Sequence, residues 1–74
     1  MSYICSHINV YDKDGRFHQI FDVKEVKHYH PTDSEKKSSR ELVSSLYPNY
    51  KSATLHIMHY DKNDYNDKNN NVKL

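Results

Sequence analysis

A chain of 74 residues with one cysteine and a net charge of +1 suffices for one domain. It excludes an internal disulfide, and it excludes a broad basic or acidic field as the means of finding a partner. Only 35% of the residues are hydrophobic, and no run is long and apolar enough to span a membrane. Below ~70–80 residues a single core rarely supplies more than ~3–5 kcal/mol. The composition therefore predicts a domain that gains burial by self-association or by binding a partner.

The opening MSYICSHINV has neither the basic region nor the continuous apolar run of a secretory leader. With the lone Cys5 it predicts a reducing, cytoplasmic setting. Asn, Lys, Tyr, Ile and Asp are frequent while Gly occurs once. Such a bias would follow from an A/T-rich genome, as in many phages and some bacteria and parasites.

Residues 3–11 alternate as a strand does. Ile4, Ser6, Ile8 and Val10 share one side; Tyr3, Cys5, His7, Asn9 and Tyr11 share the other. Asp12-Lys13-Asp14-Gly15-Arg16 follows, a hairpin signal. If Asp14-Gly15 is a two-residue turn, Ile8 faces Phe21, Tyr11 faces His18 and His7 faces Asp22. This register puts most apolar residues of both strands on one side, which favours it. A three-residue loop with Gly15 as a bulge shifts the pairing by one. It sends Ile20 to the core and Phe17, Phe21 and Val23 to the open side.

The second strand is expected to end near Lys24 or Val26. Pro31 to Pro48 then reads as one helix. Thr32 and Glu35 form a capping box, Asp33 and Glu35 complement the helix dipole, and Pro48 stops the helix at Leu46 or Tyr47. Leu42, Val43, Leu46 and Tyr47 make a narrow apolar stripe. Residues 52–60 alternate again, with Ala53, Leu55 and Ile57 on one side and Thr54, His56, Met58 and Tyr60 on the other. Residues 61–74 are polar and Asn-rich and read as a disordered tail after a domain of residues 1–60.

The expected fold is thus α+β: a β-β-α-β domain whose three-stranded antiparallel sheet has order 2-1-3, with a right-handed crossover and one helix on one face. Strands two and three are its edges. The predicted core is Ile4, Ile8, Val10, Phe17, Phe21 and Val23 from the hairpin, Leu42, Val43, Leu46 and Tyr47 from the helix, and Ala53, Leu55 and Ile57 from the third strand.

One helix covers one sheet face only. The other is expected to show Tyr3, His7, Tyr11, His18, Ile20, His56, Met58 and Tyr60, with Cys5 among them. A merely solvated face would carry Lys, Glu and Thr, whereas Tyr and Met are enriched at protein interfaces. The plainer reading is that strands favour Tyr and tolerate His; the small core tips the balance toward an interface.

Other chemistries are weaker. Cys5, His7 and His56 could approach one another, but they match no zinc-ligand spacing. A Cys/His nucleophile pair has no recognisable oxyanion hole beside it. The single glycine sits in a turn, so no phosphate-binding loop is formed, and Asp12 to Gly15 only echoes the start of a calcium loop. The rival is single-stranded RNA stacking on Tyr3, Tyr11 and Tyr60, with Lys24, Lys27 and Lys51 for phosphates. The near-neutral charge weighs against it. The sequence therefore predicts a protein without catalysis, metal or cofactor that binds another protein, or a second copy of itself, through a sheet face, a sheet edge or the basic helix flank. A small regulator or inhibitor of the kind phages direct at host factors fits that description.

Overall fold

The computed structural model describes residues 2–21, 23–61 and 64–74. Its elements are β1 (Ser2–Tyr11), β2 (Phe17–Phe21), α1 (Asp33–Leu46), β3 (Ser52–Asp61) and β4 (Asp64–Lys73). They form an α+β fold with one helix and an antiparallel sheet ordered β2-β1-β3-β4. The sheet has four strands rather than the expected three, because residues read as a polar tail pair with β3. The edges are accordingly β2 and β4, not β2 and β3.

The hairpin takes the bulged register. Tyr11 faces Phe17, Asn9 faces Gln19 and His7 faces Phe21. Gly15 has φ +81°, which an L side chain rarely adopts. The Asp12 carboxylate accepts from the backbone N–H groups of Asp14 (2.8 Å) and Arg16 (2.9 Å). The Gly15 N–H donates to the Asp12 carbonyl and the Asp12 N–H to the Arg16 carbonyl, both at 2.9 Å. This is a type I turn closed by a left-handed glycine, a three-residue hairpin loop.

The shift corrects four positions. Phe17 and Phe21, expected in the core, are 50% and 65% exposed. Ile20 and His18, expected on the open face, point to the helix side instead. There Ile20 packs against the core, and His18 stacks on Tyr47 with ring centroids 4.3 Å apart. Asp22 lies outside the described residues, and so does the His7–Asp22 pair. β2 ends at Phe21, earlier than expected; Val23 and Val26 are buried from the connection that follows.

Helix α1 starts as its sequence dictates. The Thr32 hydroxyl accepts from the Glu35 N–H at 3.1 Å, and the Glu35 carboxylate accepts from the Thr32 N–H at 3.0 Å. At the other end the Tyr47 N–H donates to the Val43 carbonyl at 2.7 Å. The buried face is Glu35, Ser39 and Val43, spaced at i, i+4 and i+8. Leu46, expected in the core, is 53% exposed at the last turn, where Tyr47 meets the sheet instead.

Ile8, Val10, Val43, Ala53, Leu55 and Ile57 form the centre of the core, with Val23 and Val26 at one side. Val72 and Leu74 from the end of the chain pack against it, and the Leu74 N–H donates to the Ala53 carbonyl at 3.0 Å. Each large aliphatic side chain fully buried here contributes roughly 1.5–3 kcal/mol, and there are few of them.

Glu35 compensates for part of the shortage by tying the connection to the helix. Besides Thr32, its carboxylate accepts from the Lys27 N–H at 2.6 Å and pairs with His28 Nδ1 at 2.8 Å. Burial by itself would raise its pKa; the bonds from Thr32, Lys27 and His28 outweigh that and lower it from 4.5 to about 2. The folded-state value lies below the free one, so the unfolded chain takes up the proton first. The stabilisation is complete above about pH 4.5 and fades as pH falls toward about 2.

Two predictions follow from α1. Glu35→Gln should flatten the acid side of a plot of urea midpoint against pH between 4.5 and about 2; an unchanged slope would contradict the carboxylate's role. Ser39 is fully buried and its hydroxyl has no partner among the described residues. Ser39→Ala removes an unpaired buried hydroxyl, worth roughly 1 kcal/mol or more. It also substitutes a better helix former. In a domain of this size 1 kcal/mol moves Tm by about 4–8 °C, so calorimetry should show a rise of that order; a fall would show that the hydroxyl is bonded.

Candidate functional site

The sheet face away from α1 collects the exposed apolar side chains. Tyr3, Tyr11, Phe17 and Phe21 all lie on it, and of the large exposed hydrophobic residues only Leu46 lies elsewhere among the described residues. Antiparallel register explains how they meet, because side chains directly opposite one another share a face and nearly touch. Tyr11 sits against Phe17 with centroids 5.4 Å apart. Phe21, His7 and His56 form a row across three strands: His7 to Phe21 is 6.0 Å, and His7 stacks on His56 at 4.8 Å with the rings 12° from parallel. Tyr3 stacks on Tyr60 at 5.0 Å. Between these pairs Cys5 faces Met58, whose Sδ lies 3.3 Å from the Tyr60 hydroxyl.

Three polar side chains among the rings form a chain of hydrogen bonds. Asn9 accepts from Gln19 Nε2 at 3.0 Å, and its own Nδ2 is 3.0 Å from His56 Nε2. An amide nitrogen only donates, so His56 Nε2 is the acceptor in this bond. Burial, and then the neighbouring His56, lower the His7 pKa below 6.5. The centre of the face is a row of flat rings in which the Asn9 amide joins Gln19 to His56.

Of the residues that the sequence marked for this face, Tyr3, His7, Tyr11, His56, Met58 and Tyr60 are brought together. His18 and Ile20 are on the helix side, where His18 Nε2 pairs with Asp12 Oδ2 at 2.8 Å. That bond first, and then the backbone donors of the turn, hold the Asp12 carboxyl below the usual carboxylate range. Phe17 and Phe21 join the face although the favoured register assigned them to the core. Gly15 suits either loop; the signal that could have placed them is Asp12, whose carboxylate accepts from the Asp14 and Arg16 N–H groups of the bulged turn.

The lysines considered for phosphate contacts lie elsewhere. Lys24 and Lys27 are on the connection between β2 and α1, lining a groove beside β1, and Lys51 precedes β3 near the hairpin turn. Among the described residues no three His, Cys, Asp or Glu side chains are placed to hold a metal ion together. No helix of the described residues is long and apolar enough to cross a membrane. No family model, curated protein or solved structure matches this chain.

Proposed function

We propose that this protein is a non-enzymatic binding module, a small regulator or inhibitor that presents its open sheet face to a larger protein. The observation that carries the reading is the segregation of exposed apolar side chains. Tyr3, Tyr11, Phe17 and Phe21 stand on one side of one sheet whose other side holds a small core. Contiguous exposed apolar surface of this kind marks interaction sites, and aromatic residues and Met are enriched in the buried centres of interfaces while Lys and Glu are depleted. The row Phe21–His7–His56 supplies rigid rings with few torsions to freeze on binding, which lowers the entropy cost of association. A second copy of the chain is the simplest alternative occupant of the same face.

Nucleic acid suits the face less well. Tyr3 and Tyr60 already turn ring faces to each other, as do His7 and His56, whereas a base stacks on an open ring. Of the described lysines only Lys73 stands on this face, opposite Thr54 on the edge strand β4.

The test compares the wild-type chain with Phe17→Ser/Phe21→Ser. Both side chains are exposed, so stability should change by less than about 1 kcal/mol, where core phenylalanines would cost ~3–5 kcal/mol each. The wild type should form a dimer in light scattering, or retain a specific protein from its native host in a nuclease-resistant manner, and the double variant should lose that association. Association retained by the variant would remove the open face from the reading. Single-stranded RNA binding that falls steeply with salt would replace protein by nucleic acid as the partner.

A further inference from the structure

A second surface stands apart from the open face. Beside the first half of β1 a groove of about 690 Å³ runs between the strand and the connection that follows β2. It exists because β2 is short. The β1–β2 ladder runs only from Tyr11–Phe17 to His7–Phe21, while β1 continues back to Ser2. Past that point the connection crosses to Ser6, whose carbonyl accepts from the Val23 N–H at 3.5 Å and whose hydroxyl donates to the Val23 carbonyl at 3.0 Å.

The Ser6–Val23 bond fixes which way the backbone of β1 faces. Along a strand the N–H and C=O of alternate residues point to the same side. Ser6 bonds toward the β2 side, as Asp12 does to Arg16, while Tyr11 bonds toward β3 through the Lys51 N–H. The N–H and C=O of Ile4 therefore also point to the β2 side, where β2 has ended. Among the described residues they have no ladder partner. An unpaired strand edge of this kind is a template for a further strand.

The walls of the groove favour one charge. Lys24 and Lys27 line it, and both are exposed. His59 lies opposite Ile4 and also lines it. No carboxylate is among its described lining residues. The nearby Glu35 is engaged by His28, Thr32 and the Lys27 N–H, and Glu25 lines an adjoining hollow that Lys24, Lys27 and His28 share.

We propose that the groove docks an extended acidic peptide of another protein, which pairs with β1 at Ile4 in line with β2 and sets its carboxylates against Lys24 and Lys27. The backbone of Ile4 supplies the pairing and the two ammonium groups select the charge. Acidic residues at every second position fall on one side of such a strand. This site is independent of the open face, and either reading can fail alone.

The probe is a blocked heptapeptide of alternating Glu and Thr at roughly 5 mM, above the millimolar Kd of a short added strand. The readout is amide hydrogen exchange at Ile4 in the full chain. The acidic peptide should slow exchange by about 6-fold, which is 1 + [L]/Kd at that concentration for a Kd of about 1 mM. Its counterpart with Lys for Glu, and the acidic peptide N-methylated at every residue, should give no protection. Lys24→Glu/Lys27→Glu should weaken the acidic peptide by at least ~10-fold, about 1.4 kcal/mol, with an unchanged far-UV spectrum as its folding control. Phe17→Ser/Phe21→Ser should bind the peptide as the wild type does. Unchanged exchange at Ile4, equal protection by the lysine peptide, or loss of binding in the phenylalanine variant would each overturn the groove assignment.

Discussion

The register of the first hairpin decides what each face of this protein is made of. Gly15 adopts φ +81°, and the Asp12 carboxylate gathers the turn's backbone donors around it. One residue added to the loop exchanges every side chain of β2 between the two faces. With the glycine bulge, Ile20 closes onto the core while Phe17 and Phe21 meet Tyr11 and His7 on the outside. The apolar open face follows from that local choice and requires no further device.

The helix side is held by polar as much as by apolar contacts. Val43 is the one fully buried apolar residue that α1 gives to the core, and its other buried positions are Glu35 and Ser39. Glu35 fastens the connection, and Tyr29 fastens the connection in turn to β4. The Tyr29 hydroxyl donates to the Asn69 carbonyl at 2.7 Å, and Asn70 Nδ2 donates to the Tyr29 carbonyl at 2.9 Å. A hydrogen bond contributes only about 0.5–1.5 kcal/mol net, so such ties position the connection more than they stabilise the fold. Val23 and Val26, seated by it, enlarge a small core, and Val72 and Leu74 extend it on the far side.

Much of this was legible in the residues. Thr32, Glu35 and Pro48 delimit the helix by capping and by proline sterics, and the structure has both halves of the capping box. The alternation of Ile4, Ile8 and Val10, and of Ala53, Leu55 and Ile57, identifies β1, β3 and their buried sides. The register was not legible, because two patterns compete in β2. Phe17 and Phe21 argue for one face and Ile20 for the other, and hydrophobicity alone favours the pair of phenylalanines. A two-residue turn would need positive φ at both Asp14 and Gly15, whereas the bulged loop needs it at Gly15 alone, and only Gly15 adopts it. β4 was hidden for a different reason. Its sequence DYNDKNNNVK has almost no apolar period, and it is placed by backbone pairing with β3 and by the two apolar residues near its end. The open face was recognised through Tyr3, His7 and Tyr60, but its phenylalanines depended on the turn.

The account rests on the one-residue offset between β1 and β2, and a nuclear Overhauser spectrum of the intact chain measures it directly. Facing residues outside the hydrogen-bonded pairs bring their Cα atoms to ~4.5 Å. Hα–Hα cross-peaks between Asn9 and Gln19 and between His7 and Phe21 are therefore predicted. Hα–Hα cross-peaks joining Val10 to Gln19 and Ile8 to Phe21, the facing pairs outside the hydrogen bonds in the two-residue-turn register, would return the phenylalanines to the core and contradict the aromatic face.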